Sequence, residues 1–242
     1  MKHAVLLAVG FAALADAQGQ TWIGNRAGIG LYRQRIESDK VLPTSFTEGW
    51  TTLAAPTIKL PIDIRFSRHF GMIIEPGFVQ RGSKFHKWSG YVSTTRVNSV
   101  ELAVLAKGAM EFGKWTPYVL AGPSLTRQLT VRVAYTTTNG HDDEGTITVD
   151  DISVYKPAYM SVFAGAGIAF SIGAPRLFLD YRAMWGLSPG QGGDLVDING
   201  NVLGEIEIFD QGHIISIGWS IPLSREAWRA TPVREAPTTP EQ

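Results

Sequence analysis

The chain lacks cysteine, and after its first residues it lacks any long apolar run. With no Cys among 242 residues, disulfides, thiolate metal sites, a cysteine nucleophile and a lipidated N-terminal cysteine are excluded. Charge is sparse and balanced, with 22 basic and 22 acidic residues, so nothing predicts a nucleic-acid surface or a basic membrane-binding patch. Beyond residue 17, no segment approaches the roughly 18–20 apolar residues that a membrane-spanning helix needs.

The N-terminus predicts a secretory signal peptide over residues 1–17. Lys2 and His3 precede an apolar run, and Ala15-Asp16-Ala17 has the small-x-small pattern of a cleavage site. A membrane anchor is disfavoured because the run is too short to span a bilayer. The predicted organisation is a signal peptide over 1–17, one folded domain over 18–223, and a disordered Pro/Thr-rich periplasmic tail over 224–242.

Residues 211–223 alternate with a period of two, which is typical of a β-strand. His213, Ile215, Ile217, Trp219, Ile221 and Leu223 share one face, while Ile214, Ser216, Gly218 and Ser220 share the other. Seven further stretches alternate in the same way: 21–34, 56–66, 70–82, 97–110, 115–129, 158–172 and 177–187. Pro61 is discordant because it cannot donate to a strand ladder, so it predicts a bulge or a local gap in pairing.

The connections between these eight stretches alternate strictly between long and short. The long ones are 37–55, 83–96, 130–157 and 188–207, and the short ones are 67–69, 112–114 and 173–175. This asymmetry is typical of outer-membrane barrels, which have short periplasmic turns and long external loops. Aromatic residues near the short turns predict an interfacial girdle: Trp22, Phe66, Phe70, Phe112, Trp115, Phe170 and Trp219. The pattern predicts an all-β fold, an eight-stranded antiparallel up-and-down transmembrane β-barrel.

Ten charged side chains fall on the small or polar faces of these strands. They are Arg26, Lys59, Asp63, Arg65, Glu75, Arg81, Glu101, Lys107, Asp180 and Arg182. On a soluble sandwich they would form an ordinary solvated surface. Inside an eight-stranded barrel, whose interior is barely wide enough for its own side chains, they would have to pair, because buried unpaired charges are very costly. We therefore predict a salt-bridged, closed lumen rather than an open pore.

The order and spacing of several motifs resemble the PorT-type outer-membrane β-barrel domain over about residues 22–223. The matching features are Glu75 followed by Arg81-Gly82, Glu101 before Lys107, Pro117-Tyr118 with Ala121-Gly122-Pro123, the GAG at 165–167, and Asp180-Tyr181-Arg182. The resemblance implies an integral outer-membrane barrel of a Gram-negative-type bacterium. Most members of this family have no assigned function, and the namesake is associated with type IX secretion.

The sequence offers little support for catalysis or cofactors. His213 and Ser216 are the one Ser/His pair close together on a strand, but their odd spacing predicts opposite faces. The acidic stretch 141–144 could attract a cation, although a solvated loop tip is the simpler interpretation. The glycine-rich stretch 190–193 has no following helix to make a phosphate loop. We therefore predict no enzyme activity, no cofactor and no metal.

The favoured function is a structural or interaction role exerted through the external loops. The alternatives are an accessory role in a type IX-like secretion system, a lipid-modifying barrel enzyme, and a soluble carrier barrel. Expected partners are outer-membrane lipid, the barrel-assembly machinery that reads an alternating last strand such as 211–223, and a protein bound by the loops. No nucleic-acid partner is expected.

Overall fold

A computed structural model describes residues 20–38, 50–87, 91–137, 142–148, 155–196 and 202–223. It contains twelve strand segments: β1 (Thr21–Ser38), β2 (Trp50–Thr51), β3 (Leu53–Lys59), β4 (Ile62–Arg65), β5 (Phe70–Lys87), β6 (Tyr91–Ala109), β7 (Trp115–Thr137), β8 (Asp142–Thr148), β9 (Ala158–Ser171), β10 (Arg176–Gly186), β11 (Gln191–Val196) and β12 (Val202–Pro222). The predicted signal peptide and the predicted tail lie outside the described residues. None of the described residues forms a helix long and apolar enough to cross a membrane.

The segments close into one antiparallel ring. Its order is β1, β3 with β4, β5, β6, β7, β9, β10, β12 and back to β1. β3 and β4 act as one ring strand, since both lie between β1 and β5. β2, β8 and β11 pair with β5, β7 and β12 outside this ring. The described residues therefore form the predicted eight-stranded up-and-down barrel.

The stagger of the ring is read from one circuit of paired residues. The circuit runs Ile64, Met72, Ala106, Ala121, Ala164, Ala183, His213, Leu31 and Ala54. It returns to its starting strand at residue 54 instead of 64, which is a shear of ten residues. With about 3.3 Å per residue and about 4.8 Å between strands, this shear gives a tilt of about 41° and a backbone radius of about 8 Å. Side chains therefore fill such an interior.

Pro61 interrupts one strand without changing its register. β3 ends at Lys59 and β4 begins at Ile62, yet Arg26 pairs with Lys59 and Ile23 pairs with Ile62, which is one continuous register. The Pro61 carbonyl still accepts a hydrogen bond from the Gly24 amide at 3.0 Å. The missing N–H of proline thus leaves a gap in the ladder and no bulge.

The strands are longer than the sequence predicts on the long-loop side. β5 reaches Lys87 and β6 starts at Tyr91, so the predicted 83–96 loop is mostly paired strand. Similarly, β8 and β11 lie within the predicted loops 130–157 and 188–207. Runs such as Val131 and Val133 favour strand conformation, and each extension is stabilised by hydrogen bonding to its neighbour. Because a membrane crossing needs only about 9–11 tilted residues, strands of 18–23 residues such as β5 and β7 project well beyond it.

The exterior is apolar and the interior charged. Ile29, Leu179 and Ile217 are 50–62% exposed, whereas the Arg65 and Arg182 residues are 8% and 1% exposed. The orientation on which the barrel prediction depends is confirmed by these positions.

Two apolar residues depart from the predicted faces. Trp22 is 4% exposed and lies inside the barrel, so it does not belong to the girdle predicted for it. The guanidinium of Arg176 lies 3.8 Å from the centre of a Trp22 ring. Ile64 is also buried, although alternation in the stretch 56–66 places it on the apolar face with Ile58 and Leu60. It lies in the short β4 beside the turn, where its paired residues are Thr21 and Met72.

Candidate functional site: the ion-paired lumen

Glu75 is the centre of the first of three groups of lumen charges. Its carboxylate pairs with the guanidinium groups of Arg26 and Arg182. Both arginines also pair with Asp180, at 2.8 Å from Arg26 and 3.1 Å from Arg182. Asp180 further accepts hydrogen bonds from Tyr118 Oη at 3.0 Å and Ser216 Oγ at 2.7 Å. Two cations are thus balanced by two carboxylates, and the carboxylates also receive neutral donors.

Glu101 is the centre of the second group. It pairs with Lys59 through one oxygen and with Arg81 through the other. Arg81 also donates to Tyr159 Oη at 2.5 Å, and Tyr159 donates in turn to Asp210 at 2.6 Å. These contacts connect five strands of the ring, β3, β6, β5, β9 and β12, through polar side chains alone.

The third group lies toward the short turns. Lys107 Nζ is 2.5 Å from Asp63 Oδ2, and Arg65 Nη1 is 2.5 Å from Glu111 Oε1. Arg65 is nearly buried, while Glu111 belongs to the exposed edge of the 110–114 turn and is partly exposed. The end of the lumen at the short turns is therefore closed by two ion pairs that are more accessible to solvent than the central ion pairs.

The alternation of β-strands explains how residues distant in sequence meet here. Glu75 on β5 and Arg182 on β10 are 107 residues apart in sequence, yet both occupy inward positions of a barrel with a radius of about 8 Å. Small inward residues make room for the long side chains. At Gly167 an added Cβ would lie 2.6 Å from Asp180 Cβ and 2.4 Å from the Tyr118 ring.

All ten charged residues singled out in the sequence have their side chains in these three groups. Four further polar residues inside the barrel were not predicted from the sequence: Glu111, Asp210, Tyr159 and Arg176. Asp210 and Arg176 each fall one residue before a predicted strand, and Glu111 falls in a turn. Tyr118 is buried inside the barrel, and the alternation of the stretch 115–129 does not reveal its hydrogen bond to Asp180. Extending each alternating pattern by one residue would have found Asp210 and Arg176.

The central charges leave little space for solute passage. The Glu75, Arg81 and Arg182 residues are 0–1% exposed, so the middle of the barrel is filled by side chains. Arg26 and Arg81 of the central groups also lie over aromatic rings: Arg26 is 4.7 Å from the Phe178 centroid and Arg81 is 5.6 Å from the Tyr159 centroid. Such contacts stabilise a desolvated cation.

Ser216 and His213, the pair weighed as a hydrolase site, lie on opposite faces. Ser216 Oγ bonds to Asp180 inside the barrel, whereas His213 Nδ1 lies 2.6 Å from Tyr181 Oη on the outside. The described side chains also contain no group of three or more His, Asp or Glu that could hold a metal ion. The side chains of the acidic stretch 141–144 lie outside the described residues.

The Arg65–Glu111 pair predicts a pH-dependent contribution to stability. Partial burial raises the pKa of Glu111, but the hydrogen bond and charge of Arg65, with the charges of Arg176 and Arg68, outweigh it, so this pKa lies below its ordinary value. A depressed folded-state pKa gives stability that is present above the unfolded value of about 4.3 and is lost as pH falls through the folded pKa. Glu111→Gln should therefore be less stable than the parent at pH 7 and equally stable below the folded pKa. Urea midpoints from pH 7 to pH 2.5 measure this; a difference that does not change with pH would contradict it.

The closed ring, apolar exterior and ion-paired interior define a small integral β-barrel of the outer-membrane type. A family profile described as "Outer membrane protein beta-barrel domain" matches residues 18–190. The chain belongs to this family, and its location is the outer membrane of a Gram-negative bacterium. The search of curated proteins found no match.

Several solved outer-membrane barrels are similar to this chain at low sequence identity. OprG from Pseudomonas aeruginosa is 8% identical, with 84% of this chain and 96% of that chain covered and a TM-score of 0.52. Ail of Yersinia pestis is 12% identical, with 84% and 99% covered and a TM-score of 0.36. Neisserial surface protein A is 11% identical, with 82% and 96% covered and a TM-score of 0.39. The likeness to OprG concerns the fold alone.

Proposed function

We propose that the protein is a closed outer-membrane barrel that acts as a scaffold, presenting its extended strands to a protein partner outside the cell. The observation that carries this proposal is the combination of a filled lumen and long projecting strands. Glu75, Arg81 and Arg182 fill the middle of the barrel, which disfavours a transport role. β5, β6, β7 and β12, at 18–23 residues, continue as paired sheet beyond the length that a membrane requires.

The projecting sheet is a better platform for recognition than a set of irregular loops. The β5–β6 hairpin stays in register up to the pair Lys87 and Tyr91, and β7 is held on the other side by β8. The backbone of a paired sheet is ordered before binding. Association with it therefore costs less conformational entropy than association with a flexible loop does. Among the described residues β8 pairs on one side only, with β7, so its other edge can pair with a strand of a partner.

A closed lumen predicts no steady ion conductance. Reconstituted into planar bilayers at neutral pH, the wild-type barrel should give no open-channel steps in 1 M KCl, because its central charges are paired and desolvated. An open porin in the same bilayers is the positive control. Stable, voltage-independent conductance steps of the wild-type protein would contradict a filled lumen and, with it, this proposal.

Removing the projecting part of one hairpin tests the interaction role. Replacing residues 85–93 with Asn-Gly keeps the Lys84–Thr94 pair and closes the strands with a two-residue turn. The matched variant replaces residues 195–204 with Asn-Gly and keeps the Asp194–Glu205 pair. On intact cells, we expect a partner protein that crosslinks to the wild-type barrel to crosslink to one of these two variants and not to the other. If both variants keep every crosslinked protein while folding normally, the hairpins are not the contact.

The finer assignment to a PorT-type domain is supported by the order of its motifs around Glu75, Glu101 and Asp180, and an accessory role in secretion is the alternative that this resemblance implies. It predicts that the crosslinked partner is a component of a secretion machine and that loss of the gene lowers the amount of secreted protein. Unchanged secretion in the deletion strain would rule out this role and leave the general scaffold role standing.

A further inference from the structure

The outer face of β1, β10 and β12 carries a polar pair, Tyr181 and His213, beside a mostly apolar surface. Tyr181 Oη and His213 Nδ1 lie 2.6 Å apart. Their rings are stacked with centroids 5.8 Å apart and an interplanar angle of 14°. Both side chains face outward, where His213 has Leu31 and Ala183 as its cross-strand neighbours. Polar side chains are costly on a lipid-facing surface unless a partner satisfies them. The Tyr181 hydroxyl satisfies Nδ1 of His213, which leaves the second ring nitrogen, Nε2, for a polar headgroup.

An apolar groove runs from this pair toward the short turns. Its volume is about 740 Å³, and it is lined by Ala27, Ile29, Leu179, Ile215 and Ile217 among others. Ala27 accounts for the depression, since its cross-strand neighbours are the larger Ile217 and Ile58. The groove therefore fits an extended acyl chain lying against the barrel.

A cation lies just beyond the outer end of this groove, in a neighbouring depression that is lined by Arg33 and shares Leu31 and His213 with the groove. Arg33 follows Leu31 by two residues on the same face of β1, and its Nη2 lies 3.5 Å from Gln211 Oε1. Among the described side chains, no carboxylate is within ion-pair distance of Arg33, whereas the next outward arginine, Arg35, pairs with Glu37 at 2.9 Å. Arg33 thus has donors available, on the side from which the long strands project.

We propose that this groove binds one phosphorylated glycolipid of the outer leaflet. One acyl chain occupies the groove past Ala27, and the lipid phosphate lies against the Arg33 guanidinium. His213, held by Tyr181 through Nδ1, offers Nε2 to the same headgroup. An arginine fork is well suited to phosphate oxygens, and the apolar groove supplies contact area that a free phosphate would not use. This inference depends on the outer-membrane location and is independent of the scaffold role.

Native mass spectrometry of the full-length mature barrel in detergent tests the site, with bisphosphorylated lipid A as the probe and its dephosphorylated form as the comparison. The wild type should retain one lipid A molecule per barrel and should retain the dephosphorylated form about tenfold less well. Arg33→Gln should lower retention of lipid A by about tenfold. Arg127→Gln is the matched control, because Arg127 also faces outward two residues beyond an exposed leucine, on β7 away from the groove.

Filling the groove gives a second, independent variant. Ala27→Trp should lower retention of both lipid forms while leaving Arg33 in place. Each protein is first shown to be folded by its heat-dependent gel mobility. No retained lipid in the folded wild type, equal retention of the two lipid forms, or equal losses in Arg33→Gln and Arg127→Gln would each overturn the proposal.

Discussion

Replacing Glu75 with Gln is expected to lower the free energy of unfolding of the barrel by about 3–5 kcal/mol, the cost of breaking a buried ion pair from one side. The Glu75 residue is 0% exposed and its carboxylate faces both Arg26 and Arg182. Glutamine keeps the shape of the side chain but removes its charge. Asp180 then remains as the closest carboxylate for two desolvated guanidinium groups, which cannot lose their protons.

Urea or guanidinium unfolding in detergent, followed by tryptophan fluorescence and by gel mobility, measures the loss. Glu37→Gln is the matched control because it removes the same charge from a pair whose side chains are 47% and 52% exposed. An exposed pair contributes about 0–1 kcal/mol. A Glu75→Gln variant that is no less stable than Glu37→Gln would show that the central pairs do not stabilise the barrel.

Much of the barrel could be predicted because lipid and lumen impose opposite chemistry on alternate residues. Wherever the outward residues are long and apolar, as Ile215 and Ile217 are, the period-two pattern reveals both strand and orientation. The inward charges followed from the same alternation. Glu75 and Arg182 could therefore be assigned to one interior although the sequence alone did not say which carboxylate faces which arginine.

The features that the sequence did not predict lie where residues no longer alternate between lipid and lumen. Beyond the membrane both faces of a strand can be polar, so paired segments such as β8 and β11 resemble loops in composition. Near the short turns the inside can hold a large ring, which is why Trp22 lies under Arg176 and not in the girdle. Individual ion pairs depend on the ten-residue shear, a property of the closed ring that the spacing of residues within one strand does not reveal.

Replacing Gly82 with Ala is expected to destabilise the barrel by about 3 kcal/mol or more, combining backbone strain with a direct clash. Gly82 has φ of +144°, a conformation that residues with a Cβ rarely adopt. An added Cβ would lie 1.9 Å from the Thr95 carbonyl oxygen on the neighbouring strand β6. The clashing atom is a backbone oxygen, so rotation of a side chain cannot relieve the clash. The β5–β6 ladder must therefore separate locally.

Gly113→Ala is the control that measures the cost of backbone strain without the cost of a steric clash. Gly113 also has positive φ, at +60°, but no heavy atom lies within 4 Å of its added Cβ. Its substitution should cost only the left-handed backbone penalty, about 1–2 kcal/mol. Unfolding midpoints in detergent compare the two variants, and hydrogen exchange at the Thr95 and Arg96 amides reports on the ladder beside Gly82. Equal losses of stability, or unchanged exchange at those amides in Gly82→Ala, would contradict the close approach of β5 and β6. A larger loss at Gly82 would instead show that the β5–β6 ladder beyond the membrane is as tightly packed as the structure describes, which a rigid platform for a partner requires.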